Sequence, residues 1–209
     1  MAVFQDYVGT GGSPGGHYRL ALKAVGVTTI SAGSCLLAFR WTDTAHFCRL
    51  ERLSVSVVLT TAYGAAQSTD IQATIARGWN TAPSAGTAGP TFGPNAQAMA
   101  TQGVAVAMNQ ISGFLAGATN IEVVNTSTAV TTGSPTSDTQ PFAAMAFSLP
   151  NTAGNADTRE LVNVAAGNEY PPTFGANEGF LLSPVTTQGA SGVLNFYFNL
   201  ILAVNNTPF

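Results

Sequence analysis

Apolar and polar residues alternate with a period of two along much of this chain, the signature of strands with one buried face. In "YRLALKAV" the positions Tyr18, Leu20 and Leu22 alternate with Arg19 and Lys23. From Arg52 the pattern is cleaner: Leu53, Val55, Val57 and Leu59 point one way, and Arg52, Ser54 and Ser56 the other. "DIQATIARGW" repeats it, with Ile71, Ala73 and Ile75 inward and Asp70, Gln72 and Thr74 outward. The last segment is the cleanest: Leu194, Phe196, Phe198, Leu200, Leu202 and Val204 share one face, and Asn195, Tyr197 and Asn199 the other. A strand so long and so aromatic belongs at the centre of a sheet. "SCLLAFRW", "FAAMAFSL" and "RELVNVA" read as further short strands. Over residues 104–115 a strand through Val104, Val106 and Met108 competes with a helical stripe through Val104, Met108, Ile111 and Leu115. Ser112-Gly113 would break a helix early, which favours the strand.

Between these runs lie two long loops, one over residues 80–95 and one in "NTSTAVTTGSPTSDTQP". "GTGGSPGG" precedes the first strand, and no repeat of fixed period occurs. About eight strands, long Gly/Thr/Ala-rich loops and no convincing helix predict an all-β, antiparallel two-sheet sandwich of the jelly-roll kind. The 209 residues fit one such unit: a flexible N-terminal arm over 1–17 and a single β-sandwich domain over 18–209.

Composition adds one strong constraint. Hydrophobic residues make up 45% of the chain, while charged residues make up only 8%, against about 25% in ordinary domains. A folded 21.4-kDa chain exposes roughly 9,000 Å², so its charges stand about one per 500 Å². Such a surface favours self-association, and the chain is expected to be covered by sibling or partner subunits in its working state, the alternative being a secreted or extracellular β protein with an uncharged polar surface. With a net charge of −3 and seven scattered basic residues, it carries no electrostatic footprint for nucleic acid. "MAVFQDYVGTGGSPGG" lacks the basic start and apolar centre of a signal peptide. "GVLNFYFNLILAV", interrupted by Asn195 and Asn199, is about half of what a spanning helix needs, so no membrane partner is expected.

The chain offers little to catalysis. His17 and His46 are its two imidazoles, one in the glycine-rich start and one in a turn, and no G-x-S-x-G elbow occurs. No catalytic residue and no cofactor are expected. Cys35 and Cys48 flank one hairpin beside His46, but the spacing matches no CxxC pair and a fourth zinc ligand would have to be the distant His17. Two buried free thiols are expected instead; a disulfide stays open only to a register that brings the two Cα atoms within about 7 Å. The Asn-x-Ser/Thr sequons at Asn125 and Asn205 carry no weight without an export signal.

In "RLERL" Arg49 and Glu51 continue the apolar face of Leu53 and Val55, which places them where that face reaches the rim. There they form either a rim salt bridge or a pair that docks a neighbouring subunit. Arg77 and Trp79, which close their strand, are the other interface or rim candidates. In "PPTFGANEGFLLSPV" Pro171 and Pro172 force an extended lead-in, and Asn177 and Glu178 cap exposed amides. Gly179 then permits a backbone twist, and Phe180 enters the core. A lone carboxylate with no second acid or metal is a poor catalyst, so the stretch reads as a structural corner.

Taken together, "RLERLSVSVVLTTAYGAAQSTDIQATIARGW", "SAGTAG", "NAQA", "ISGFLAGATN" and "NEYPPTFGANEGFLL" resemble a family of small proteins encoded among the virion genes of tailed bacteriophages. The resemblance covers roughly residues 50–125 and 165–205 and implies a particle component rather than an enzyme. "VTTGSPTSDTQP" and the glycine-rich start match nothing in the pattern. The expected role is a capsid decoration, or cement, protein on the particle surface, made in the host cytoplasm. Its expected partners are its own copies, as a trimer, and the major capsid protein. A tail tube, baseplate or fibre subunit is the first alternative. A carbohydrate-binding module that stacks sugars on Trp41, Trp79 or Tyr170 is the second.

Overall fold

Alternating strands are stable only where each apolar face finds cover, and here two sheets cover each other. The computed structural model of the chain describes residues 16–28, 30–44, 46–81, 88–91, 97–99, 105–112, 119–123, 133–164, 170–189 and 191–205. The strands are β1 (Gly16–Val27), β2 (Leu37–Trp41), β3 (Phe47–Thr61), β4 (Gln67–Arg77), β5 (Ala88–Thr91), β6 (Gln97–Met99) and β7 (Ala105–Ser112). They continue as β8 (Thr119–Val123), β9 (Thr136–Ser137), β10 (Ala143–Leu149), β11 (Ala156–Asn163), β12 (Thr173–Phe174), β13 (Glu178–Pro184) and β14 (Val193–Asn205).

One sheet, A, runs β11-β3-β14-β1-β7-β6, with β12 also on β3; the other, B, runs β10-β4-β13-β2-β8-β5, with β9 also on β4. Every position in one sheet is matched in the other by its neighbour in the chain. The pairs β1·β14, β2·β13, β3·β11 and β4·β10 are those of a long antiparallel ribbon, 1-2-3-4 against 10-11-13-14, rolled so that β14 meets β3 and β13 meets β4. That is the double Greek key of a jelly roll, so the expected sandwich is the fold. Seven of the expected strands lie in this ribbon, and its eighth member, β13, lies in the stretch read as a corner. The other six lie where the sequence read as loop or as ambiguous, because they are short or carry small residues in place of alternation. β7 settles residues 105–112 as strand. β1 begins at Gly16 and so takes in Gly16 and His17, which the sequence assigned to the arm; residues 1–15 lie outside the described residues.

The core fills as the alternation required. Leu53, Val55, Val57 and Leu59 lie beside Leu200, Phe198, Phe196 and Leu194 on the inner face of sheet A, all fully buried, and β14 is central between β3 and β1. Phe39 and Phe180 from sheet B stack at 5.4 Å, and Phe174 from sheet A meets them at 5.8 and 5.9 Å. Phe142 meets Phe180 edge-on at 6.2 Å, closing an aromatic cluster that joins the two sheets. A smaller apolar cluster of Cys35, Ala38, Ala76 and Trp79 sits on the opposite face of sheet B.

One sequence expectation fails here for a geometrical reason. Ile201 pairs with Arg52 and Leu202 with Leu50, so Glu51 is an extra residue in β3, a β-bulge. The bulge reverses the parity of everything before it. Cys48 and Leu50 therefore enter the core, while Arg49 and Glu51 stand off the apolar face on which the sequence placed them.

Candidate functional site

The turn from β12 to β13 carries the predicted corner and is the most densely bonded part of the described surface. Asn177 adopts a left-handed φ of 63°, which costs most residues about 1–2 kcal/mol but is tolerated by Asn and Gly. Its amide donates to the Trp41 carbonyl at 2.8 Å, its carbonyl accepts from the Trp79 amide at 3.1 Å, and its Oδ1 accepts from Arg40 Nη2 at 2.7 Å. One asparagine therefore ties the corner to β2 and to the end of β4. Glu178 closes the turn: its Oε2 accepts from the Gly175 amide at 2.8 Å, and its own amide donates to the Gly175 carbonyl at 3.1 Å. Glu178 thus caps an amide as expected, whereas the Asn177 side chain, expected to do the same, takes the Arg40 guanidinium instead. Pro172 contributes its carbonyl to the Leu50 amide at 3.0 Å, and Phe180 is fully buried.

Gly179 serves a different purpose from the one its sequence context suggested. Its φ is not left-handed. A Cβ built there would stand 1.8 Å from the Phe39 carbonyl oxygen and 2.8 Å from its carbon, so the glycine is required by close approach of β2 and not by a twist.

Asn177→Ala is expected to lower stability by about 2 kcal/mol, since it loses the bond to Arg40 and keeps the left-handed strain, and Asn177→Gly by about half as much. Urea unfolding compares the two. An alanine variant no less stable than the glycine variant would show that the φ requirement is absent.

Arg77 sits between the corner and the segment that follows residue 133. It pairs with Asp138 and lies 3.5 Å from Glu178 Oε1, with about half its side chain exposed. Trp79, the other candidate at this end, is 1% exposed. It is roofed by Gly133, whose carbonyl accepts from the Asn80 amide at 3.0 Å. It is therefore a packing residue under a covering segment and offers no surface to a partner. Arg49 and Glu51 bond each other at 2.5 Å along one strand. Trp41 is also buried, its Nε1 donating to the His46 carbonyl at 2.8 Å, and His46 contacts Asp43 at 2.7 Å. Of the three aromatic residues proposed for sugar stacking, only Tyr170 is exposed.

Cys35 and Cys48 are free and buried, and they belong to clusters on opposite faces of sheet B. Burial pushes the Cys48 thiol far up, with the Glu51 charge adding to it, so Cys48 stays a neutral apolar group. Among the described residues no group of His, Cys, Asp and Glu is arranged to hold a metal ion.

Sequence reasoning missed the edge of the sandwich where β10 and β11 lie side by side. A cavity of about 260 Å³ opens there, lined by Phe142, Ala143, Ala144, Leu161, Tyr170 and Pro172 among others. Tyr170 at its mouth is fully exposed. The two edge strands differ in chemistry. β11 carries Asp157, Arg159 and Glu160 and a bulge between Glu160 and Val162. Bonds from Asn163, then from Arg52, hold the Glu160 carboxyl below its usual range. β10 has no charge and pairs with β4 without a register shift. The one available signal was "PFAAMAFSLP", an uncharged run bracketed by prolines.

Compared with known protein families and with curated proteins, the sequence matches none.

Proposed function

We propose that this chain is a structural subunit of a tailed-phage particle, a capsid decoration protein that binds the head shell as a homo-oligomer. The observation that carries the reading is the state of its few charges. Arg49, Arg52, Arg77 and Arg159 are each held by a carboxylate of the same chain, namely Glu51, Glu160, Asp138 with Glu178, and Asp157. An accessible area of 10026 Å² shared by seven basic and ten acidic residues, many already neutralised, leaves a surface of Ala, Thr, Ser and Asn suited to weakly polar contacts with other subunits. The jelly roll itself does not choose, since shells, lectins and cupins share it. The role is mechanical. A rigid sandwich lies across neighbouring shell subunits, and the area buried resists internal pressure.

Co-sedimentation with decoration-free heads and, separately, with purified tails tests this. Binding to heads that makes them more resistant to heat or chelator supports the reading. Binding to tails moves the role to a tube, baseplate or fibre. A monomer at all concentrations that binds neither removes it.

A further inference from the structure

We propose that β10 is a self-pairing edge, through which a second copy of this chain continues sheet B across a two-fold axis. The strand is the outermost of its sheet and pairs with β4 over all seven residues, from Ala143 opposite Ala73 to Leu149 opposite Gln67. The Phe142 amide donates to the Ala73 carbonyl at 2.9 Å. On its other side β4 offers the Asp70 carbonyl to the Val185 amide at 2.7 Å, so Gln67, Thr69, Ile71 and Ala73 turn their backbone groups to β10. By antiparallel alternation those of Ala143, Met145, Phe147 and Leu149 face β4, and those of Ala144, Ala146 and Ser148 face outward. No bond to these outward groups is found among the described residues.

Proteins blunt such edges with charges, prolines or bulges, and β11, at the same end of the sandwich, has both charges and a bulge. β10 has neither; its prolines, Pro141 and Pro150, lie just outside it and confine pairing to the strand. An axis through Ala146, the middle residue, sets Met145 opposite the partner's Phe147 and Ala143 opposite the partner's Leu149. The outward groups of Ala144, Ala146 and Ser148 then meet those of Ser148, Ala146 and Ala144 of the second copy, giving about six backbone hydrogen bonds. On the outer face the exposed Ala146 meets its own copy and Ala144 meets Ser148, so neither bulk nor like charge opposes the seam. The same register brings the partner's Leu149–Pro150 end to the start of β10, beside the apolar cavity and the exposed Tyr170. The edge is thus complementary to itself in length, hydrogen-bond phase, side-chain size and adjoining surface. The seam does not depend on the shell-binding reading. It replaces the trimer expected from the sequence with an even-numbered assembly.

Cysteine placed at the axis gives the sharpest test, because Cys35 and Cys48 are buried and do not compete. Ala146 opposite itself is a hydrogen-bonded pair, with Cα atoms about 5.5 Å apart, within disulfide range. Mild oxidation of Ala146→Cys is expected to give a linked dimer several-fold faster than Ala144→Cys, whose counterpart is Ser148. Ala146→Lys sets two ammonium groups together and is expected to halve the native mass at unchanged circular dichroism. In wild-type protein, hydrogen exchange at the Ala144, Ala146 and Ser148 amides should be slow when assembled and fast on dilution, a readout that needs no variant. The seam is overturned by equal linking of the two cysteine variants, by a native mass indifferent to Ala146→Lys, or by edge amides protected only when shell protein is added. A head-binding protein that ignores Ala146→Lys loses the seam and keeps its proposed function; a seamed dimer that binds no particle does the reverse.

Discussion

Gly179→Ala is expected to lower folding stability by about 4 kcal/mol or more, a loss reserved for a short list of mechanisms. The mechanism here is a backbone clash. β13 lies between β2 and β4, and a methyl group at residue 179 would meet the Phe39 carbonyl at 1.8 Å and the Arg40 Cα at 3.0 Å. No rotamer relieves a contact made by Cβ, so β2 must move away and loosen the ladder through which β13 also holds β4. At roughly 2–4 °C per kcal/mol for a chain of this size, melting should fall by about 8–16 °C. Gly64→Ala is the control, since nothing lies within 4 Å of its Cβ position and its φ is not left-handed; it should change stability by less than about 0.5 kcal/mol. A Gly179→Ala protein within about 1 kcal/mol of wild type would mean that β2 and β13 are farther apart than described.

Phe180→Ala is expected to cost about 3–5 kcal/mol, the range for deleting a buried aromatic ring. The ring stacks on Phe39, leans on Phe174 and takes the edge of Phe142, so removal leaves three aromatic partners facing a cavity. Two of these partners lie in sheet B or its lead-in and one in sheet A, so the ring is part of what fixes one sheet on the other. Phe180→Leu keeps most of the volume and should cost about 1–2 kcal/mol. Because residues 179 and 180 adjoin, the double variant should lose less than the sum. Denaturant midpoints at a constant m-value measure all three. A Phe180→Ala loss no larger than that of Phe180→Leu would show that the cluster repacks and does not join the sheets.

What could be read from the sequence divides along physical lines. β3, β4 and β14 were legible because they bury one face against a core and leave the other to solvent, which writes the period of two directly into residue type. Phe180, Asn177 and Glu178 were legible as a corner because turn chemistry is local. The parity of Arg49 and Glu51 was not, since a bulge is a property of the pairing between β3 and β14 and leaves no mark in "RLERL" alone. Gly179 was assigned to the wrong cause for the same reason: a twist is local, whereas the approach of the Phe39 carbonyl comes from a strand far away in sequence. Trp79 read as a rim residue because its strand ends there, and only the covering segment around Gly133 buries it. The β10 edge was read as a strand but not as a surface, because edge position belongs to sheet order and not to composition.

The sheet order also dictates a timetable. β14 stands between β3 and β1, and β13 between β4 and β2, so the last two of the described strands in chain order are the ones that knit both sheets together. β1 and β2 therefore leave the ribosome long before β14 and β13, the strands that link them to the rest of the ribbon. Closure of these distant pairings is slow, in the millisecond-to-second range typical of such topologies, and until it happens the apolar faces of β1 to β4 stand open to chaperones or to one another. Loss of β14 would leave no half-sandwich behind, only a chain still waiting to fold.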